Sequence, residues 1–217
     1  MNRFAMTYLA NRTLSVRRAR RQPLRTLLLS LGLTAALGLG ACQQQPSDAP
    51  PLEGAALGGP FTLVDKNGKT VTWDSFKGHW RAVYFGYTFC PDACPLDVQE
   101  LMRGFTLFKK EHPEAAAKVQ PIFISIDPAR DTPEVVGQWT GAFGPDLMGL
   151  TGTPEQVKQA ADAFAVYFKR GEETEGGYLM DHSRIVYLMD PDGKPIAMLP
   201  VDKGKKAVAA ELARWVK

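Results

Sequence analysis

The chain has 217 residues, of which 45% are hydrophobic and 23% charged, enough for one sizeable core; its formal net charge is +3. The basic excess belongs to the first 42 residues, which carry seven arginines and no acidic residue. The remainder has 19 basic against 23 acidic residues, a net −4, so charge gives no case for nucleic-acid binding.

In chain order, the basic start is followed by an apolar run from Thr26 to Ala41 ending in Leu39-Gly40-Ala41-Cys42. Basic start, apolar middle and small residues at the cut are the layout of an export signal. The run is a little short of the about 20 apolar residues that a membrane-spanning helix needs. A cysteine after Leu-Gly-Ala resembles a bacterial lipobox, which implies cleavage before Cys42 and a lipid on its sulfur. An ordinary signal peptide and an uncleaved anchor are the alternatives. Residues 1–42 are thus predicted as a signal peptide with lipobox. Residues 43–59, rich in Gln, Pro, Ala and Gly, are predicted as a flexible tether and 60–217 as one domain.

Within that domain, FTLVDKNGKTVTW reads as a β-hairpin turning at Asn67-Gly68. RAVYFGY is a buried strand that runs into YTFCPDACP. Leu96 to Lys110 reads as a helix, with Val98, Leu101, Met102, Phe105 and Phe108 at helical spacing. VQPIFISI is a second buried strand. Two helices open alike, at Thr132-Pro133-Glu134 and at Thr153-Pro154-Glu155, with a cap, a proline and an acid in the first turn. The second is predicted to run through Phe168. DLMGL is a short strand, RIVYLMDPDGKPIAML a strand pair turning at Asp192-Gly193, and the chain closes with a helix burying Val208, Leu212 and Trp215. This order predicts an α/β fold with a thioredoxin-like sheet behind an N-terminal β-hairpin, its active groups at the carboxyl end of the first central strand.

Cys90 and Cys94 are each followed by proline, which pushes the preceding residue out of the α region. Pro95 fits the first position of the following helix, which makes Cys94 the predicted N-cap and puts Asp97 in the first turn. The helix dipole then favours thiolate, the form that attacks disulfides and binds metals. Three intervening residues let the sulfurs close into a bond or spread around an ion. If Cys42 carries lipid, these are the two remaining thiols, and outside the cytoplasmic membrane a structural disulfide, a redox pair and a metal site all stay open.

The sequence offers three histidines as a third ligand. His112 and His79 read as surface residues. His182, between a glycine-rich loop and a buried strand, is the candidate, with Asp181 or Asp127 to orient its ring. Two thiolates and an imidazole suit copper, and soft sulfur favours Cu(I).

GYTFCPDACP, FISIDPARDTP and DHSRIVYLMDPDG, in that order and spacing, resemble the SCO/SenC family over Phe61 to Trp215. The resemblance implies a thioredoxin-like domain tethered to a membrane. It implies one copper ion held by Cys90, Cys94 and His182, and delivery of copper to the dinuclear centre of cytochrome c oxidase subunit II during assembly. It does not name the copper donor. With the lipobox, it implies a lipid-anchored protein of the bacterial cell membrane facing the periplasm. Arg130 and Asp131 are expected to brace the loop beside the site. A peroxiredoxin would be expected to carry threonine three residues before its reactive cysteine; here Tyr87 and Pro91 stand there. The competing function is a thiol–disulfide reductase in which Cys90 and Cys94 are the redox pair that reduces the acceptor's cysteines.

Overall fold

The computed structural model describes residues 49–175 and 177–217. The predicted signal peptide and lipobox over 1–42, with Cys42, and the first part of the tether lie outside the described residues. Among those described, no helix is long and apolar enough to cross a membrane. The rest of the expected tether, residues 49–59, is not loose. Leu52 N donates to the Ile196 carbonyl at 3.1 Å and Gly58 N to the Ala163 carbonyl at 2.8 Å, while Leu52 and Leu57 pack on the core. Two leucines set among Pro, Gly and Ala were enough to hold that segment down.

A hairpin of β1 (Thr62–Val64) and β2 (Thr70–Thr72) precedes a 3-10 turn and β3 (Trp80–Gly86). Then follow α1 (Ala93–Glu111), the short α2 (Pro113–Ala116), β4 (Val119–Ser125), α3 (Pro133–Gly141), β5 (Met148–Leu150) and α4 (Pro154–Ala163). The chain ends with β6 (Phe168–Thr174), β7 (Gly177–His182), β8 (Val186–Met189), β9 (Pro195–Leu199) and α5 (Lys205–Trp215). The central sheet has the order β5-β4-β3-β8-β9. β3 runs parallel to β4, with Val83 opposite Ile122, and antiparallel to β8, with Val83 opposite Tyr187. This is the α/β, thioredoxin-like arrangement the sequence predicts.

The two central strands are apolar almost without interruption, as strands covered on both faces must be. Ala82 to Phe85 and Ile122 to Ile124 are buried, and α1 packs against α5. Both Thr-Pro helix starts form as predicted. Thr132 Oγ1 accepts from Val135 N at 3.3 Å, and Thr153 and Gln156 cap one another reciprocally.

The end of α4 differs. The segment read as helix through Phe168 leaves the helix at Ala163, because Ala165 turns to φ 51°. Val166 N then donates to the Ala161 carbonyl and Ala165 N to that of Asp162, the paired bonds of a left-handed helix stop, and Val166 is buried beneath it. Phe168 thereby starts β6, and β6 and β7 form a ribbon separate from the central sheet. The left-handed region costs an alanine about 1–2 kcal/mol and glycine almost nothing. Ala165→Gly therefore raises the unfolding free energy by about 0.5–1 kcal/mol in denaturant titration, despite the general penalty on glycine; a loss of stability there would contradict this account of the helix stop.

Candidate metal centre

β3 delivers the chain to the site, and the bonds around Thr88 hold it there. Thr88 donates its N–H (3.1 Å) and its hydroxyl (2.6 Å) to the Asp131 carboxylate, which also accepts from the Ser125 hydroxyl at 2.5 Å. Asp131 is fully buried; burial raises its carboxyl above the ordinary range, against the pull of Ser125 and Thr88. Arg130 bonds Asp127 at 2.6 Å and lies over the rings of Tyr178 (3.6 Å) and Phe89 (4.8 Å). The predicted bracing by Arg130 and Asp131 is what the structure contains. At Gly86, an added Cβ would sit 3.2 Å from Cys94 Sγ and 2.9 Å from Tyr84 Cε1, so only hydrogen fits beside the sulfur.

The start of α1 departs from the prediction. Helix begins at Ala93, Asp92 occupies the N-cap position without a side-chain capping bond, and Cys94 lies inside the first turn. Pro95 is then the third helical residue, whose N–H would still have no partner within the helix, so proline costs no hydrogen bond there. The acceptor that Asp92 does not supply comes from sulfur: Cys94 N donates to Cys90 Sγ at 3.3 Å. Because the helix starts early, Asp97 is not a first-turn charge. It points inward, buried, and accepts from Tyr84 Oη (3.0 Å) and from Arg184 Nε (2.9 Å) and Nη2 (2.7 Å).

His182 ends β7, opposite Phe168 of β6. Its Nδ1 is 2.9 Å from the Ser183 carbonyl, which can only accept, so Nδ1 carries a proton. Nε2 is thereby left facing Cys94 Sγ at 3.3 Å, across 88 positions of sequence. The rings of Tyr84 and Tyr87 meet the imidazole edge-on at 6.3 and 5.9 Å. Ser183, and neither Asp181 nor Asp127, orients the ring; Asp127 is engaged by Arg130 and by Tyr178 Oη at 2.6 Å. His79 lies at the far end of β3, about 23 Å away along the strand, and His112 at the far end of α1, about 27 Å away along the axis. Neither approaches the cysteines.

Both thiols are free, Cys94 buried and Cys90 partly exposed. The Cys94 thiol, donating to Cys90, pulls the Cys90 pKa down to about 3; burial opposes this, and the N–H groups of Cys94 and Asp92 add to it. The same bond, together with burial, holds Cys94 protonated far above the ordinary thiol range. The two sulfurs titrate as a unit: the first proton leaves easily and the second is retained.

Among the described residues, no three His, Cys, Asp or Glu side chains are already spaced around an ion. Instead, Cys94 Sγ lies between Cys90, to which its thiol donates, and the lone pair of His182 Nε2. Sulfur and nitrogen ligands on one ion stand about 3.5–3.7 Å apart, from bond lengths of about 2.3 and about 2.0 Å. The 3.3 Å between Cys94 and His182 needs to open by only a few tenths of an ångström. The donor set fits a soft ion.

The chain matches the SCO1/SenC family model over residues 49–217. It belongs to that family. It is 42% identical over 145 residues to the mitochondrial SCO1 homolog 1 of Arabidopsis thaliana, covering 67% of this chain and 42% of the relative. It is 45% identical over 147 residues to the mitochondrial SCO2 of Saccharomyces cerevisiae, covering 66% and 48%. The chain thus spans about half the length of these curated relatives. Among solved structures, it resembles Bradyrhizobium japonicum ScoI with copper bound at 40% identity and TM-score 0.67, covering 74% of this chain and 99% of that one. Arabidopsis thaliana ScoI with copper bound aligns at 36% and TM-score 0.69, covering 73% and 98%.

Sequence reasoning in this family member missed the Asp97–Arg184–Tyr84 cluster and the Ser183 carbonyl. A backbone acceptor leaves no trace in residue type. Asp97 did carry a signal: an acid on the apolar face shared with Val98 and Leu101. The low Cys90 pKa has a direct consequence. Between pH 5 and 8 the alkylation rate of Cys90 stays within about twofold, whereas an ordinary thiol gains about tenfold per pH unit below its pKa. Mass-resolved iodoacetamide labelling checks this, and a tenfold rise per unit would remove the shared-proton arrangement.

Proposed function

We propose that this chain is a copper metallochaperone. Cys90, Cys94 and His182 take up one copper(I) ion and pass it by ligand exchange to the dinuclear copper site of cytochrome c oxidase subunit II during assembly. The observation that carries this is the Cys94–His182 contact, which puts an imidazole lone pair beside a paired thiol at a helix N-terminus. Relatives solved with copper bound support the choice of metal. Soft sulfur selects Cu(I) and imidazole accepts it. Three donors, one of them on a ribbon outside the central sheet, suit an ion that has to leave again. Residues 1–42 would direct export, and lipid on Cys42 would anchor residues 60–217 to the bacterial cell membrane on its periplasmic side, with part of 43–59 as spacer.

The second reading is a reductase of the acceptor's cysteines, favoured by one observation: a partly exposed thiolate backed by a buried thiol. Cys90 would attack the acceptor disulfide and Cys94 would resolve the mixed disulfide, leaving a Cys90–Cys94 disulfide and two acceptor thiols. The pKa argues against it. A thiolate stabilised to about 3 is a weak nucleophile and a good leaving group, which makes the disulfide form oxidising and the dithiol a poor reductant. Copper suffers no such handicap, since the ion replaces the Cys94 proton.

Copper(I) titration against a chromophoric competitor tests the reading. One copper binds per chain. Between pH 7 and 8 its affinity rises about tenfold, because a single proton is released; two ordinary thiols would give about a hundredfold. Cys94→Ser abolishes tight binding, and His182→Ala weakens it about 10- to 100-fold. Unchanged affinity in His182→Ala, or rapid reduction of a dicysteine-disulfide peptide by the metal-free domain, would favour the reductase instead.

A further inference from the structure

His182 and the cysteines sit on separate pieces of the fold. The cysteines belong to the β3–α1 turn, anchored in the central sheet. His182 ends a two-stranded ribbon that belongs to another sheet, with three residues between it and β8, which rejoins the body. The ribbon is held elsewhere by Tyr178 Oη on Asp127 and by Arg130 over the Tyr178 ring. At His182 itself the link between the two pieces is ionic. Arg184, two residues on, donates Nε and Nη2 to the two oxygens of Asp97 at 2.9 and 2.7 Å, and Asp97 lies three residues after Cys94 on α1.

We propose that Arg184 is a positioning residue that sets where His182 stands relative to Cys94, acting through the Asp97 carboxylate. A planar two-bond fork fixes both distance and angle, which a single point charge does not. Asp97 cannot follow a wandering partner: it is buried in α1 and held again by Tyr84 Oη at 3.0 Å. Between His182 and Arg184 stands Ser183, whose carbonyl takes the imidazole Nδ1 proton and whose N–H bonds the Tyr167 carbonyl at 2.9 Å. Placing Arg184 therefore places the Ser183 carbonyl, and the carbonyl places the ring. The Arg184 side chain is itself 53% exposed, so replacing it opens no hole in the core. The loss of charged donors on buried Asp97 lowers stability, which thermal unfolding reads separately from the effect on the site.

This inference rests on the ligand set proposed above, and its test separates the two. Copper(I) dissociation constants are measured for the wild type, Arg184→Gln, Arg184→Lys, His182→Ala and the Arg184→Gln/His182→Ala double variant. Nitrogen-15 spectra of the metal-free proteins record the His182 tautomer. Arg184→Gln weakens copper about tenfold while keeping one ion per chain, and Arg184→Lys recovers part of that loss. With His182→Ala already present, Arg184→Gln changes nothing further, because its effect runs through the missing imidazole. In the metal-free protein, Arg184→Gln replaces the single Nδ1–H signature of His182 by an averaged one, with thermal unfolding still cooperative. Additive losses in the double variant, or an unaltered His182 signature in Arg184→Gln, would overturn the proposal. A wild type that binds no copper would sink the ligand set, and the metal-free His182 signature would still decide on Arg184.

Discussion

A thiolate at Cys90, held by the Cys94 N–H at the start of α1 and by the Cys94 thiol proton, is the interaction on which the site depends. A sulfur anion in partly dry surroundings is costly unless donors are aimed at it. The fold supplies them by ending a buried strand against a helix N-terminus and letting Cys90 stand in for the missing capping side chain. The same proton that stabilises Cys90 keeps Cys94 neutral in its buried place behind Gly86. The pair is thus charged once, not twice, while the ion is absent. A monovalent soft cation can take the place of that proton with little change in local charge.

The second requirement is reach. A helix N-terminus alone offers two sulfurs; the third donor comes from far along the chain. Buried hydrogen bonds narrow the freedom of each piece in turn. Asp131 fixes Thr88 and so the entry to the cysteine turn, Arg130 and Asp127 fix the tip of the ribbon, and Ser183 fixes the ring. Each contact is short and polar, and each carboxylate has more than one donor, as buried charge demands. The outcome is a Cys94–His182 pair within a few tenths of an ångström of ligand spacing, beside a thiol proton that an ion can displace.

Much of this was readable in the sequence, where residue type and spacing carry the information. The apolar runs of β3 and β4, the paired Thr-Pro helix starts and the Cys-Pro pairs gave the elements, the cap residues and the ligand candidates. What failed has a physical pattern. Proline favours a first helical position, which puts the predicted start of α1 at Pro95, yet the third position serves equally, so the helix begins two residues earlier and Asp97 is no longer a first-turn charge. The β6–β7 ribbon was hidden because Lys169, Arg170, Glu172 and Glu173 give no apolar alternation; its pairing comes from backbone bonds and from a left-handed stop at Ala165 that alanine does not announce. The tether was overdrawn because composition averages away Leu52 and Leu57.

The central claim is that one ion is held by two sulfurs and one imidazole nitrogen. X-ray absorption fine structure on the copper(I)-loaded protein tests it most directly. The account predicts a three-coordinate copper with two sulfur neighbours and one nitrogen neighbour. A two-coordinate, sulfur-only copper in the intact chain would contradict it, since His182 would then stand beside the cysteines for some reason other than the metal.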